Sequence, residues 1–219
     1  MGKGRTVIHC NTRLEHQVTI AKALKQGLTG LNATISDSPT TSADLHVCMG
    51  PWFAYSRWRL ANTLYIDRAY WGDPYCVSVH WLKAGEKRFT ASSVRRGHPP
   101  LRPMKTGSMT IYLCDYGDRG VDHCDTVRRH PADIEPTETL EQALARHQRA
   151  VGGRSTALVD AAIMGLEIHT DDLHSPVYPL VRGVPREDWI VDLAVHNWSI
   201  DEIAAGEMWD VIGSDHKAN

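Results

Sequence analysis

The sequence predicts an α/β protein built as two Rossmann-like halves, followed by short C-terminal helices. Three observations lead there. Short β-rich runs alternate with helical periodicity, the pattern of βαβ units around a mostly parallel sheet. The alternation breaks off in a stretch without period, Gly85 to Thr106, and restarts at Met109. The chain has 219 residues, 42% of them hydrophobic, which is enough for two small cores without disulfide or metal staples. The expected domains are 1–100 and 101–219, with the hinge in the aperiodic stretch.

In the first half, Thr6–Cys10 reads as a strand. Leu14, Val18, Ala21, Leu24 and Leu28 recur at three- and four-residue steps and predict a helix that ends at Gly27 and Gly30. Ala33–Ser36 and Leu45–Met49 are strand-like, separated by the polar turn Asp37–Ser42. A helix-like segment, Trp52–Leu60, precedes a strand at Thr63–Ile66, and Val77–Leu82 adds another.

The second half opens on a strand, Met109–Cys114, and a turn, Asp115–Gly120. Thr126–His130 is strand-like and closed by Pro131. Thr139–Ala150 is helical, Ala150–Val151 a very short strand, Ser155–Met164 a helix of small residues, and Glu167–Thr170 a strand. The tail predicts two helices, Glu187–His196 and Ser199–Val211. Ser199 and Glu202 have the spacing of a capping box. Trp189, Trp198 and Trp209 make this tail apolar enough to brace the rest of the molecule.

Composition narrows the function classes. No run approaches the ~20 apolar residues of a membrane span. The N-terminal residues lack the apolar core of a signal peptide, so a cytoplasmic location is expected, the host cytoplasm for a phage-encoded chain. Five cysteines, odd in number and without a C-x-x-C pair, speak against disulfides and zinc. Cys10, Cys48 and Cys114 lie in apolar strands as small buried side chains. Among twelve histidines, His16, His123 and His174 have carboxylates nearby in sequence. No H-x-x-x-H pair stands on a helix, so no metal site is expected.

The chemistry concentrates in the second half. Gly152-Gly153-Arg154-Ser155-Thr156 passes from a strand into a helix, with Asp160 one turn in. Glycines let the backbone approach a ligand, and a helix start favours an anion. The bland alternative is an ordinary Ser/Thr cap on a core helix. Arg128-Arg129-His130-Pro131 ends the strand one crossover earlier. Ligands of open α/β sheets lie outside the carboxyl ends of the strands, so both segments address one edge. Arg128 and His130 suit a diphosphate and its departing charge. Asp115-Tyr116-Gly117-Asp118, after the first strand of this half, addresses the same edge.

The order strand–Asp-x-Gly, Arg-x-His-Pro, Gly-x-Ser-Thr-x-x-x-Asp resembles the donor half of glycosyltransferases with two facing Rossmann-like domains, the GT-B fold. The resemblance covers roughly Thr110 to Pro179, and the first half only in outline. It implies two halves facing across a cleft. In bacterial capsule and sialic-acid transferases of that fold a His-Pro pair and a Ser/Thr pair bind the donor phosphates, and an acidic residue on the next helix takes the ribose. Carried over, these are His130-Pro131, Ser155-Thr156 and Asp160, where Asp replaces the more usual Glu and shortens the reach. Asp115, Gly117, Arg128 and Gly153 complete the implied donor set. The implied donor is a UDP-linked sugar, with no separate cofactor. Ile66–Asp73 and Trp189–Trp209 also resemble phage proteins connected with glycosylation of modified DNA bases, which points to a 5-hydroxymethylated pyrimidine in phage DNA as acceptor.

The first half is left with the acceptor and the base. An inverting transfer needs a carboxylate or histidine within reach of the acceptor hydroxyl. Asp67 ends a strand, and Glu15 and His16 follow the first strand. The competing readings are a salt bridge to Arg68 or a helix cap for Asp67, and an exposed first helical turn for Glu15 and His16. The basic stretch Lys87 to Lys105 suits a DNA backbone, whereas a net charge of -2 and a pI of about 6.6 do not. A polysaccharide or small-molecule acceptor stays open. So does a protein of another class, one that captures a nucleotide or nucleotide-sugar without turnover.

Overall fold

The computed structural model describes residues 4–29, 32–38, 42–49, 63–72, 76–82, 96–115, 124–128, 131, 134–173 and 175–215. The chain forms two compact units, 1–94 with 195–219, and 95–194.

The first unit is a six-stranded mixed sheet. Strands β1 (Arg5–His9), β2 (Asn32–Ser36), β3 (Leu45–Met49) and β4 (Thr63–Arg68) are parallel in the order β2-β1-β3-β4. β5 (Val77–Leu82) runs antiparallel to β4 and carries β10 (Asn197–Trp198) on its outer edge. In this unit the expectation of a mostly parallel sheet holds for β1 to β4, and β5 and β10 depart from it. The predicted helix Trp52–Leu60 lies outside the described residues. Alternation sends Ile8, Val47, Leu64 and Ile66 to one face, where Ile20 and Leu24 of helix α1 (Glu15–Gly27) cover them.

The tail divides between the units. In chain order the remaining helices are α2 (Leu140–Arg146), α3 (Ala157–Ile163), α4 (Tyr178–Val181), α5 (Arg186–Ala194), α6 (Ile200–Ala205) and α7 (Glu207–Asp215). The predicted helix Ser199–Val211 is two helices, because Gly206 turns the chain in the left-handed region at φ 88°. The predicted 101–219 domain loses its last 25 residues, 195–219, to the first unit. The physical reason is burial: Trp198, Ile203 and Met208 are completely enclosed in the core around α1. α6 seats so closely on α1 that a Cβ on Gly27 would collide with the Ile203 carbonyl oxygen. Asn197 fastens β10 from the side: its Oδ1 accepts from the Tyr70 N–H at 2.9 Å. Ser199 and Glu202 form the predicted capping box.

The second unit is a four-stranded parallel sheet of β6 (Thr110–Leu113), β7 (Thr126–Arg128), β8 (Arg149–Gly152) and β9 (Glu167–His169), in the order β7-β6-β8-β9. Counted from its own first strand, this is again 2-1-3-4. Ile111, Leu113 and Ala150 are buried, as are Leu144 of α2 and Leu158, Val159, Ala161 and Ala162 of α3. α2 is shorter than the predicted Thr139–Ala150. Thr139 and Gln142 start it with a capping box, and His147 leaves the helix in an extended conformation. The His147 ring stands 2.7 Å from the Ala143 carbonyl and 2.9 Å from Thr126 Oγ1. Arg186 of α5 donates to the carbonyls of Arg102 and Ala162, tying α5 to the end of α3.

Among the described residues no helix is long and apolar enough to cross a membrane. All five cysteines are free; four are buried and Cys124 is half-buried. Burial pushes the Cys48 thiol up to about 12, so it sits in the sheet as an inert apolar group.

Candidate functional site

In both units several of the sequence candidates stand at or just beyond the carboxyl ends of parallel strands: Asp67 in the first, Asp115, Arg128 and Gly153 in the second. In the first unit, β1 runs into Asn11, whose Oδ1 accepts from the Arg13 N–H and whose own N–H donates to Gln17 Oε1. This turn starts α1 and places His16 and Gln17 over the ends of β3 and β4. They line a cavity of about 430 Å³ together with Met49, Ile66, Asp67 and Arg68. His16 and Asp67, distant in sequence, thus share one cavity. Glu15 does not line it; it is exposed at the start of α1, and its carbonyl accepts from Thr19 Oγ1.

The Asp67 carboxylate is held on both sides. The hydroxyl of the buried Tyr65 donates to Oδ2 at 2.7 Å, and the Arg68 N–H donates to Oδ1 at 2.8 Å. The link to Arg68 is therefore a backbone one rather than the expected side-chain bridge. Each carboxylate oxygen keeps a lone pair for a further donor. Tyr65 lies two residues before Asp67, on the same face of β4, so period-two reading would find it once the strand is known.

Under the same sheet lies a histidine pair that sequence reasoning passed over. His9 Nε2 and His46 Nδ1 are 3.0 Å apart, with the rings stacked at 5.3 Å, and both residues are buried. One ring donates and the other accepts, so the accepting ring is neutral. Burial, the neighbouring His46 and, opposing them, a backbone hydrogen bond with Ser38 set His9 at about 4. Burial alone pushes His46 down. The available signal was two histidines inside otherwise apolar strand runs.

In the second unit Asp115, at the end of β6, accepts from the Arg154 N–H at 2.9 Å. A Cβ on Gly153 would come within 2.5 Å of the same Asp115 oxygen, so any larger residue there would displace the carboxylate. The far side of the loop is held by β9: Arg154 Nε donates to Asp172 at 2.6 Å, and Thr170 Oγ1 faces the Gly153 carbonyl at 3.4 Å. The loop is thus braced from two strands.

Thr156 makes no side-chain cap bond and is itself helical, so the capping reading does not account for it. Its hydroxyl and that of Ser155 have no hydrogen bond among the described residues. α3 has only 7 residues. Its N-terminal field is correspondingly small, which leaves hydroxyls and loop amides as the polar groups. Arg128 stands at the end of β7, beside the end of β6, and donates to the Glu138 carbonyl at 3.1 Å. Gly117 and His130 lie outside the described residues, as do His123 and His174.

One of the expected associations is absent among the described residues. Asp160 does not line the cavity beside Gly153. It lies in a separate groove with Arg102, Glu141 and Met164. The cations at the end of the basic stretch serve the protein itself: Arg102 pairs with Glu141, and Lys105 Nζ donates to the carbonyls of Leu144, Ala145 and His147. Lys87, Arg88 and Arg95 lie outside the described residues. Among the described residues no three His, Cys, Asp or Glu side chains converge as a metal-binding group.

No protein-family model matches the chain, and neither does any curated protein or solved structure.

Proposed function

We propose that the chain is a glycosyltransferase that moves a sugar from a nucleotide-sugar, UDP-linked, to an acceptor hydroxyl. One observation carries the reading. The same 2-1-3-4 order of parallel strands occurs twice, and Asp67 lies at the carboxyl edge of one sheet while Asp115, Arg128 and Gly153 lie at that of the other. That repetition is what a GT-B plan requires, with the donor on the second unit and the acceptor on the first.

In this reaction Asp67 accepts the proton of the acceptor hydroxyl, and His16 lies in the same cavity as its partner. The acceptor oxygen forms a bond to the anomeric carbon while the bond from that carbon to the diphosphate breaks. Negative charge grows on the departing diphosphate. Arg128, His130 and the hydroxyls of Ser155 and Thr156 are the groups assigned to it, and donors fixed in advance stabilise such charge best. The acceptor we favour is a 5-hydroxymethylated pyrimidine in phage DNA, on the resemblance of Ile66–Asp73 and the tail.

A second reading, capture of a nucleotide or nucleotide-sugar without turnover, has its own support. Both Asp67 oxygens already carry hydrogen bonds, and Asp115 already occupies an amide of the glycine loop. A thermal-shift screen against UDP-, GDP-, CMP- and ADP-linked sugars tests what the two readings share. A ligand at 100 times its dissociation constant adds about 2.7 kcal/mol of stability. Stabilisation with slow donor hydrolysis or transfer supports the transferase, and stabilisation without turnover supports capture. No stabilisation by any member of the set defeats both.

A further inference from the structure

Resting on the reading that the second unit takes the nucleotide of the donor, we propose that its nucleoside lies on the open face of the second sheet, with the ribose diol held by Asp171. That face opens into a cavity of about 440 Å³. Tyr112, Val151 and His169 form its floor as one register row across β6, β8 and β9. At a strand spacing of roughly 4.8 Å the row spans about 10 Å, the length of a nucleobase joined to its ribose. Tyr112 supplies an aromatic surface at one end. Gly152 and Gly153 add backbone without side chains, and Val181 adds a further apolar wall.

Asp171 follows β9 two residues beyond His169 and lines the same cavity. Its neighbours are committed: Asp115 holds the Arg154 amide and Asp172 holds the Arg154 guanidinium. Asp171 makes no hydrogen bond or ion pair among the described residues. A carboxylate only accepts, and a vicinal diol offers it two donors. With Asp172 also at this end of the loop, it suits hydroxyls rather than phosphate. The ligand's diphosphate then runs the other way, past Gly153 toward Ser155. The position has a general logic. In a βαβ unit with a glycine turn after its first strand, an acidic residue about twenty positions on, at the end of the second strand, meets the ribose beside the pyrophosphate. β8, the Gly152-Gly153 turn, α3 and β9 make such a unit, and Asp171 ends it. Asp160, in its separate groove, is displaced from that role.

The test uses the full chain and four ribonucleotides, UDP, GDP, ADP and CDP, with the 2′,3′-dideoxy form of each. Amide NMR locates binding, and calorimetry measures it. The proposal expects shifts at Gly152, Gly153, Thr170 and Asp171. It also expects about a tenfold loss of affinity on removing the diol from the ligand, as for one charge-assisted hydrogen bond. Asp171→Asn should weaken the ribonucleotide about tenfold and leave the dideoxy form unchanged, with the melting temperature intact. Equal loss for both forms, or none for either, overturns the Asp171 assignment while leaving the donor reading in place. Weakening by Asp160→Asn in place of Asp171→Asn does the same. Failure of every nucleotide to bind overturns the donor reading itself, and this proposal with it.

Discussion

Lowering the pH from 7 to 5 protonates a histidine in the unfolded chain but not His9 in its buried pair. In the fold His9 titrates at about 4 against an ordinary value of 6.5, because burial and the adjacent His46 oppose the charge. The folded value is the lower one, so the unfolded state binds more protons throughout that window. Stability is therefore complete above 6.5, falls as the pH drops from 6.5 toward 4, and levels off below. At 1.36 kcal/mol per pH unit the whole gap corresponds to about 3 kcal/mol, and about 2 kcal/mol of it is lost by pH 5. His46, pushed down by burial, acts in the same direction. This is a large fraction of a typical domain's 5–15 kcal/mol. Urea titrations at pH 7 and 5 measure it, with His9→Gln as reference. Glutamine places an amide near the position of Nε2, so it keeps a donor for His46 without a titrating group. The wild type should lose about 2 kcal/mol more than His9→Gln between the two pH values. Parallel losses in the two proteins refute the account, as does an NMR titration of His9 with a midpoint near 6.5.

Three further predictions concern packing and chemistry. Gly27→Ala drives a methyl group into the Ile203 carbonyl. It should cost about 1–3 kcal/mol or more in urea unfolding, as overpacking of a close contact does; a change below about 0.5 kcal/mol would show that α6 moves aside freely. Ser155→Ala and His130→Ala should each lower turnover about 10²–10³-fold and weaken donor binding, with melting temperature unchanged. A crystal structure with the nucleotide bound away from Ser155 ends that assignment. Asp67→Asn should lower turnover about 10²–10⁴-fold while sparing donor affinity, because the proposed base belongs to the acceptor unit. Loss of donor affinity in step with turnover would contradict the division of roles.

Local pattern alone determined much of this protein. The apolar runs Val7-Ile8 and Leu64–Ile66, the three- and four-residue spacing along α1 and the Ser199–Glu202 cap each depend on residues within one turn or one strand. Such features are written in contiguous sequence. The clustering of Asp115, Arg128, Gly153 and Ser155 at strand carboxyl ends was legible for the same reason, once a parallel order was assumed. Partnerships between distant segments were not legible. Asn197–Trp198 is too short to read as a strand, and it becomes one because β5 offers an open edge. The tail joins the first unit because Trp198 and Ile203 find their burial against α1, a choice made by the surface available in three dimensions. Tyr65 beside Asp67 and His46 beside His9 arise from register and pleat. Asp160 and Asp171 both follow the glycine loop in sequence, one on the helix and one after the next strand. Only the direction in which α3 turns its faces, and β9 ends, puts Asp171 in the cavity and Asp160 in another groove. Sequence distance along a helix does not say which side the sheet will cover.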